Sequence, residues 1–197
     1  MLHALSNNIA EFLLSKNCFE KDNLNIYVYG TELVISSMIG AMIVFLLSIL
    51  TNSLLTGLLF YLSFNMLRAY TGGLHCKTYL KCNITFAVVF MTCLITDYFV
   101  KTVYFRINLL MLMVVLTFVT IVVLSPVENP NKPIEEKDRK KYRIISLLIL
   151  ISHIAFFFLS ECLFNYKADI IIITDFITSI LMVIGFILNR RCNYENG

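Results

Sequence analysis

The feature that most constrains this chain is a succession of six apolar segments, at about residues 32–50, 52–67, 84–100, 107–124, 144–163 and 170–188. Each approaches the roughly 17–25 residues that a helix needs to cross a hydrocarbon layer of ~30 Å. They are apolar throughout rather than alternating, which excludes the strands of a transmembrane barrel. The second is the shortest, so it is expected to run on into the polar residues that follow it. Composition points the same way: 58% of the 197 residues are hydrophobic and 15% charged, where soluble domains carry roughly 45–50% and about 25%. A chain this short cannot hide so much apolar surface in one aqueous core. The expected fold is all-α, a polytopic integral membrane protein of about six transmembrane helices in one domain over residues 1–197.

The positions of Lys and Arg orient the spans, because these residues accumulate on the cytoplasmic side. With the N-terminus inside, only Lys101, Arg106 and Lys167 of the 16 basic residues fall outside. Six spans with both ends in the cytoplasm satisfy that bias. Residues 1–30 lack the long apolar core and small-residue cleavage site of a signal peptide. Within them, residues 2–16 read as an amphipathic helix with Leu2, Leu5, Ile9, Phe12 and Leu13 on one face. It is too short to span, and either lies in the membrane interface or packs against the bundle. The longest inter-span stretch, 125–142, holds Pro126, Pro130 and Pro133 and then a charged run from Glu135 to Lys141. It is expected to be a basic cytoplasmic loop, either a topological stop or a surface for anionic headgroups or an acidic substrate segment. The net charge of +3 is too small to suggest a nucleic-acid partner.

Reactive side chains concentrate between the second and third spans, in Arg68-(x)3-Gly72-Gly73-x-His75-Cys76-(x)5-Cys82. A cysteine attacks as its thiolate, and a nearby imidazole can take the proton. His75 and Cys82 are the natural pair, since Cys76 adjoins His75 and adjacent side chains diverge on a regular element. Seven residues on a straight helix would hold them ~10.5 Å apart along the axis, beyond the reach of a proton transfer. The segment must therefore bend back, or the two residues must come from different subunits. Gly72-Gly73 suits such a break and leaves room for a substrate backbone, and an N–H freed there would suit a tetrahedral oxyanion. Irregular backbone at membrane depth needs cover from protein or a wet cavity, so a re-entrant or interfacial catalytic loop over 68–82 is expected. Arg68 either snorkels to the interface or holds a fixed charge beside the thiol or a substrate carboxylate.

This arrangement, placed after a second apolar segment, resembles the accessory gene regulator B family of Gram-positive bacteria. The Asn129-Pro130-Asn131-Lys132-Pro133 stretch, the basic run after it and the chain length agree with that resemblance. It implies a homodimeric cysteine endopeptidase of the bacterial cell membrane, acting on the cytoplasmic side in quorum sensing. It implies His75 and Cys82 as the catalytic dyad, with Arg68, Gly72 and Gly73 in support. The substrate implied is the precursor of a cyclic autoinducing peptide, cut at the C-terminal side of the signal segment. The acyl group would pass to the enzyme cysteine as a thioester, and an internal Cys or Ser of the precursor would then close a thiolactone or lactone. Cys76 departs from the family pattern, in which a small residue follows the histidine, and leaves a second thiol beside it.

Two rival functions belong to other classes. A transporter of a peptide or small solute would use the motif as a gating break and would tolerate loss of Cys82. A metal or haem protein would use His75, Cys76 and Cys82, but three ligands without a second His or paired thiols make a poor site, so neither metal nor other cofactor is expected. Elsewhere, Asp97, Glu161 and Asp175 lie in spans near their outer ends, where interfacial solvation accounts for them, although a polar exit path is conceivable. Glu32 opens the first span on the motif side, within reach of an ion pair with Arg68. His3 and His153 show no partner spacing, and ordinary packing or interface solvation is expected for them.

Overall fold

The computed structural model describes residues 2–16, 23–73, 78–127 and 136–195, with the backbone alone for Leu2 and from residue 190 on. Among these residues the chain forms seven α-helices: α1 Leu2–Ser15, α2 Leu24–Leu50, α3 Leu54–Thr71, α4 Tyr79–Thr102, α5 Arg106–Leu124, α6 Glu136–Phe164 and α7 Asp169–Glu195. Each of the six apolar segments is a helix. Five of them, α2, α4, α5, α6 and α7, are long and apolar enough to cross a membrane. The second segment extends into the motif as expected, ending at Thr71. Its polar residues, Ser63, Asn65 and Arg68 among them, keep α3 below the apolarity of the other five.

Contacts at the helix ends show that α3 nevertheless runs the length of the bundle. Its start lies against the end of α2, where Gly57 meets Ser48. Its end meets the segment after α5 through a bridge between Gly72 and Val127. That same end of the bundle brings together the beginnings of α2 and α4 (Glu32–Tyr79) and the beginning of α6 (Arg143–Ser125). The opposite end gathers the start of α5 with the end of α6 and the start of α7 through Arg106, Glu161 and Asp169. Successive helices α2 to α7 therefore run antiparallel, and the chain's polar motif sits at one end of the bundle.

Helix α7 occupies the middle and touches α3, α4, α5 and α6. Ile170, Ile171, Ile172 and Ile173 are all buried, so this helix is apolar on every side because protein surrounds it. A cluster of Phe60, Phe64, Phe86 and Phe90 ties α3 to α4, with ring centroids 4.9 to 5.6 Å apart. The remaining helices leave broad apolar faces open, including Met38, Met42, Phe45 and Leu46 of α2. In water such faces would be untenable; against lipid chains they are the ordinary outside of a membrane protein.

Two expectations shift. The charged run after the prolines is not loop to residue 142, because α6 already begins at Glu136. No proline follows Pro133, the residues from Glu136 to Lys141 are good helix formers, and Glu136 and Asp138 favour a helix N-terminus. Of the two placements open for α1, packing against the bundle is the one found, but through a different face. Ser6 and Ala10 are fully buried against α2, while Leu5 and Phe12 stay exposed. Small side chains let the two helix backbones approach closely, so the large apolar residues turn outward.

Candidate functional site

A helix ends within the motif, at the Gly72-Gly73 pair that suits such a break. Helix α3 ends at Thr71, α4 begins at Tyr79, and no described helix carries both halves. His75 and Cys76 lie outside the described residues, so the dyad geometry and the three-ligand metal reading are both untested. Gly72 and Gly73 have φ of 71° and 130°, a backbone region that side-chain-bearing residues rarely adopt. Gly72 has a second reason to be glycine, since a Cβ there would collide with the Val127 carbonyl. The Val127 N–H donates to the Thr71 carbonyl at 2.8 Å, fastening the break to the segment after α5. That segment is held in turn by α6, whose Arg143 Nε donates to the Ser125 carbonyl at 2.8 Å. The Gly72 N–H donates to the Arg68 carbonyl at 3.1 Å, so it is engaged and not free to serve an oxyanion.

Arg68 lies in the last turn of α3, half-buried, with its guanidinium 5.3 Å from the centre of the Phe64 ring. A cation suits that position, at the negative end of the helix dipole and over an aromatic face. Val127, Arg143 and Tyr142, whose ring meets Tyr70 of α3, support the motif from the far half of the chain. Sequence reading missed all three, and no local spacing announces them.

Cys82 stands in the first turn of α4, half-buried and in no disulfide. Thr78 caps that helix: its backbone is extended, and its hydroxyl accepts the Lys81 N–H at 3.3 Å. Helical side chains lean toward the N-terminus, so the Cys82 side chain leans toward the break between α3 and α4. First-turn N–H groups lack intrahelical acceptors, so negative charge developing there faces the positive end of the helix. Tyr79, one turn earlier on the same face, donates its hydroxyl to Glu32 Oε2 at 2.9 Å. The other Glu32 oxygen is 2.6 Å from Nδ1 of His3 on α1. Glu32 was considered as a partner for Arg68; the structure gives it His3 and Tyr79, and gives His3 a partner that its sequence position did not suggest.

Asp97 and Asp175 are buried rather than solvated at an interface as expected, while Glu161 is part-exposed within an ion pair. Asp175 is 1% exposed and pairs with His153, whose Nδ1 is 3.0 Å from both carboxylate oxygens. His153 thus has a buried partner on α7 that no spacing within α6 reveals. Asp97 is buried and paired with Lys101 at 2.7 Å. Arg106 is gripped on two sides, by Asp169 at 2.7 Å and by Glu161 at 2.8 and 2.9 Å. Such mutual neutralisation is how charge is kept within an apolar bundle.

A family model described as accessory gene regulator B matches residues 6–188. An AgrB-like protein of Clostridium perfringens (strain SM101 / Type A) is 29% identical over 170 residues, which is 83% of this chain and 79% of that protein. An AgrB-like protein of Clostridium beijerinckii is 26% identical over 98% of this chain and 96% of its own length. The accessory gene regulator protein B of Staphylococcus intermedius is 26% identical over 62% of this chain and 63% of its own. No solved structure matches.

Proposed function

This chain belongs to the accessory gene regulator B family, and from that premise we propose that it is a membrane cysteine endopeptidase of a quorum-sensing system. Its substrate is the precursor of a cyclic autoinducing peptide. Cys82 is the nucleophile, His75 the general base, and Arg68, Gly72 and Gly73 shape the site. The enzyme works as a homodimer in the bacterial cytoplasmic membrane, with its site facing the cytoplasm, where an unexported precursor is made. The observation that carries this reading is the position of the half-buried Cys82, a reduced thiol in the first turn of α4, beyond the end of α3 at Gly72-Gly73.

The chemistry runs in two halves. Cys82 gives its proton to His75, and its sulfur adds to the scissile carbonyl. His75 returns the proton to the departing nitrogen as the C–N bond breaks, and the C-terminal fragment leaves as an amine. The signal segment stays on Cys82 as a thioester. A thiol or hydroxyl within that segment then loses its proton to His75 and adds to the thioester. The ring closes, and Cys82 recovers its proton on departure. Exchange of one thioester for another is nearly balanced in energy, so a site shielded from water preserves the acyl bond for cyclisation.

Co-expression with the precursor peptide tests the reading. Release of the C-terminal fragment is expected from the unaltered chain and lost in Cys82→Ser and His75→Ala. Fragment release by either variant contradicts it, and an exporter without peptidase chemistry would tolerate both. Topology has its own check: a tag at Glu135 should be unreachable from outside intact cells.

A further inference from the structure

The acid nearest in bonding to the nucleophile-bearing turn is Glu32, on a helix remote from the motif in sequence. We propose that Glu32 is a positioning residue: its carboxylate, held between His3 of α1 and Tyr79 of α4, fixes the first turn of α4 and with it the Cys82 thiol. The inference rests on the peptidase reading above and assigns a role in the same site to residues outside the motif.

The geometry is a register of contacts between α2 and α4. Glu32 accepts the Tyr79 hydroxyl at 2.9 Å. One turn further along both helices, the Ser36 hydroxyl lies 3.5 Å from Asn83 Oδ1. Another turn on, Gly40 is packed so closely on the Phe86 ring that a Cβ there would stand 3.3 Å from it. Positions 32, 36 and 40 thus face 79, 83 and 86, and the two helices run parallel side by side. Cys82 lies three residues from Tyr79 and therefore beside it on the helix surface. Any rotation or lift of this turn that displaces the phenol displaces the thiol by a similar amount.

Within α4 this turn is held by the Cys82 N–H donating to the Thr78 carbonyl at 3.1 Å and by the longer Thr78 hydroxyl cap at 3.3 Å, while the N–H groups ahead of Cys82 lack backbone acceptors within the helix. The Glu32 carboxylate supplies a lateral tie of a stronger kind, since hydrogen bonds to ionised groups are short and roughly twice as strong as neutral ones. Its side chain is only 12% exposed, and the contact to His3 closes the other oxygen at 2.6 Å. A carboxylate placed there without partners would be costly, so the arrangement anchors α1, α2 and α4 to one another at a single point. Helix α1 thereby gains a mechanical connection to the nucleophile, although the polar contact made by His3 falls on α2.

The test compares Tyr79→Phe, Glu32→Ala, their combination, and Glu32→Gln, which keeps an acceptor for the phenol, in the full chain in membranes. Two quantities are read at equal amounts of folded protein: kcat and KM for precursor cleavage, and the rate at which N-ethylmaleimide alkylates Cys82, located by peptide mapping. Either single change should lower kcat by roughly tenfold to a hundredfold, the scale of an ~1 Å misplacement, with KM little altered and the Cys82 alkylation rate changed in step. The double variant should be no worse than the singles, because one interaction is lost in each, and Glu32→Gln should recover much of the activity. Tyr79→Phe guards against misfolding, since it removes one oxygen. The proposal is overturned by unchanged kcat and alkylation in the single variants, or by losses that multiply in the double. If Cys82→Ser still cleaves, it is the peptidase reading that fails, and the alkylation rates still decide the positioning role.

Discussion

At one end of the bundle Arg106 is held by Asp169 and Glu161, and every group in that cluster has an opposite charge against it. At the other end a reduced thiol stands half-buried, two glycines sit at positive φ, and the end of α3 is fastened to the segment after α5 by a backbone hydrogen bond. Both ends lie in polar surroundings at the limits of the same helices. The first spends its polar groups on one another and so contributes stability alone. The second places a reactive group beside backbone whose positive φ suits glycine. Backbone that only glycine adopts beside a reduced thiol suits a working site, whereas saturated ion pairs suit a joint.

The contrast can be broken by substitution at either end. Cys82→Ser should reduce fragment release by at least roughly a thousandfold, as loss of a nucleophile does, while the thermal midpoint stays within a degree or so in a melting experiment. Arg106→Gln should do the reverse. It leaves the buried Asp169 carboxylate uncompensated, at a cost of about 3–5 kcal/mol in stability, yet kcat per folded molecule should hold. Gly72→Ala should affect both quantities, because it forces an unfavourable backbone worth about 1–3 kcal/mol and pushes Val127 away from the break. A smaller effect is expected from Arg143→Gln, which loosens the 125–127 segment through its bond to Ser125. About 1 kcal/mol of stability and a several-fold fall in activity would fit one partly exposed hydrogen bond. If Arg106→Gln lowered kcat as much as Gly72→Ala, the division between joint and site would be wrong.

Much of this architecture was legible from residues alone, for a definite reason. Apolar runs of span length have few alternatives once lipid is the solvent, so the six helices and the break at Gly72-Gly73 follow from local sequence. Pairings across helices do not. His153 with Asp175 and Arg106 with Asp169 join residues 22 and 63 positions apart, and no periodicity within one helix reports on another. The same limit hid Val127, Tyr142 and Arg143 from the site. The seating of α1 was misjudged for a related reason. A face chosen by hydrophobicity fits burial in water, but beside lipid the small residues Ser6 and Ala10 pack inward and Phe12 turns out. The charged run from Glu136 reads as loop by its polarity, yet α6 begins there, because a long helix readily continues into water on charged residues.

The central claim is that Cys82 carries the acyl group, and trapping that intermediate tests it most directly. The precursor is supplied with its internal Cys or Ser changed to Ala, so that cyclisation cannot discharge the enzyme. The membrane protein is then digested and mapped by mass spectrometry. The account predicts a hydroxylamine-sensitive adduct of the signal segment on the peptide containing Cys82, and none in Cys82→Ser. Release of the C-terminal fragment with Cys82 unmodified, or an adduct found on Cys76 instead, would contradict it.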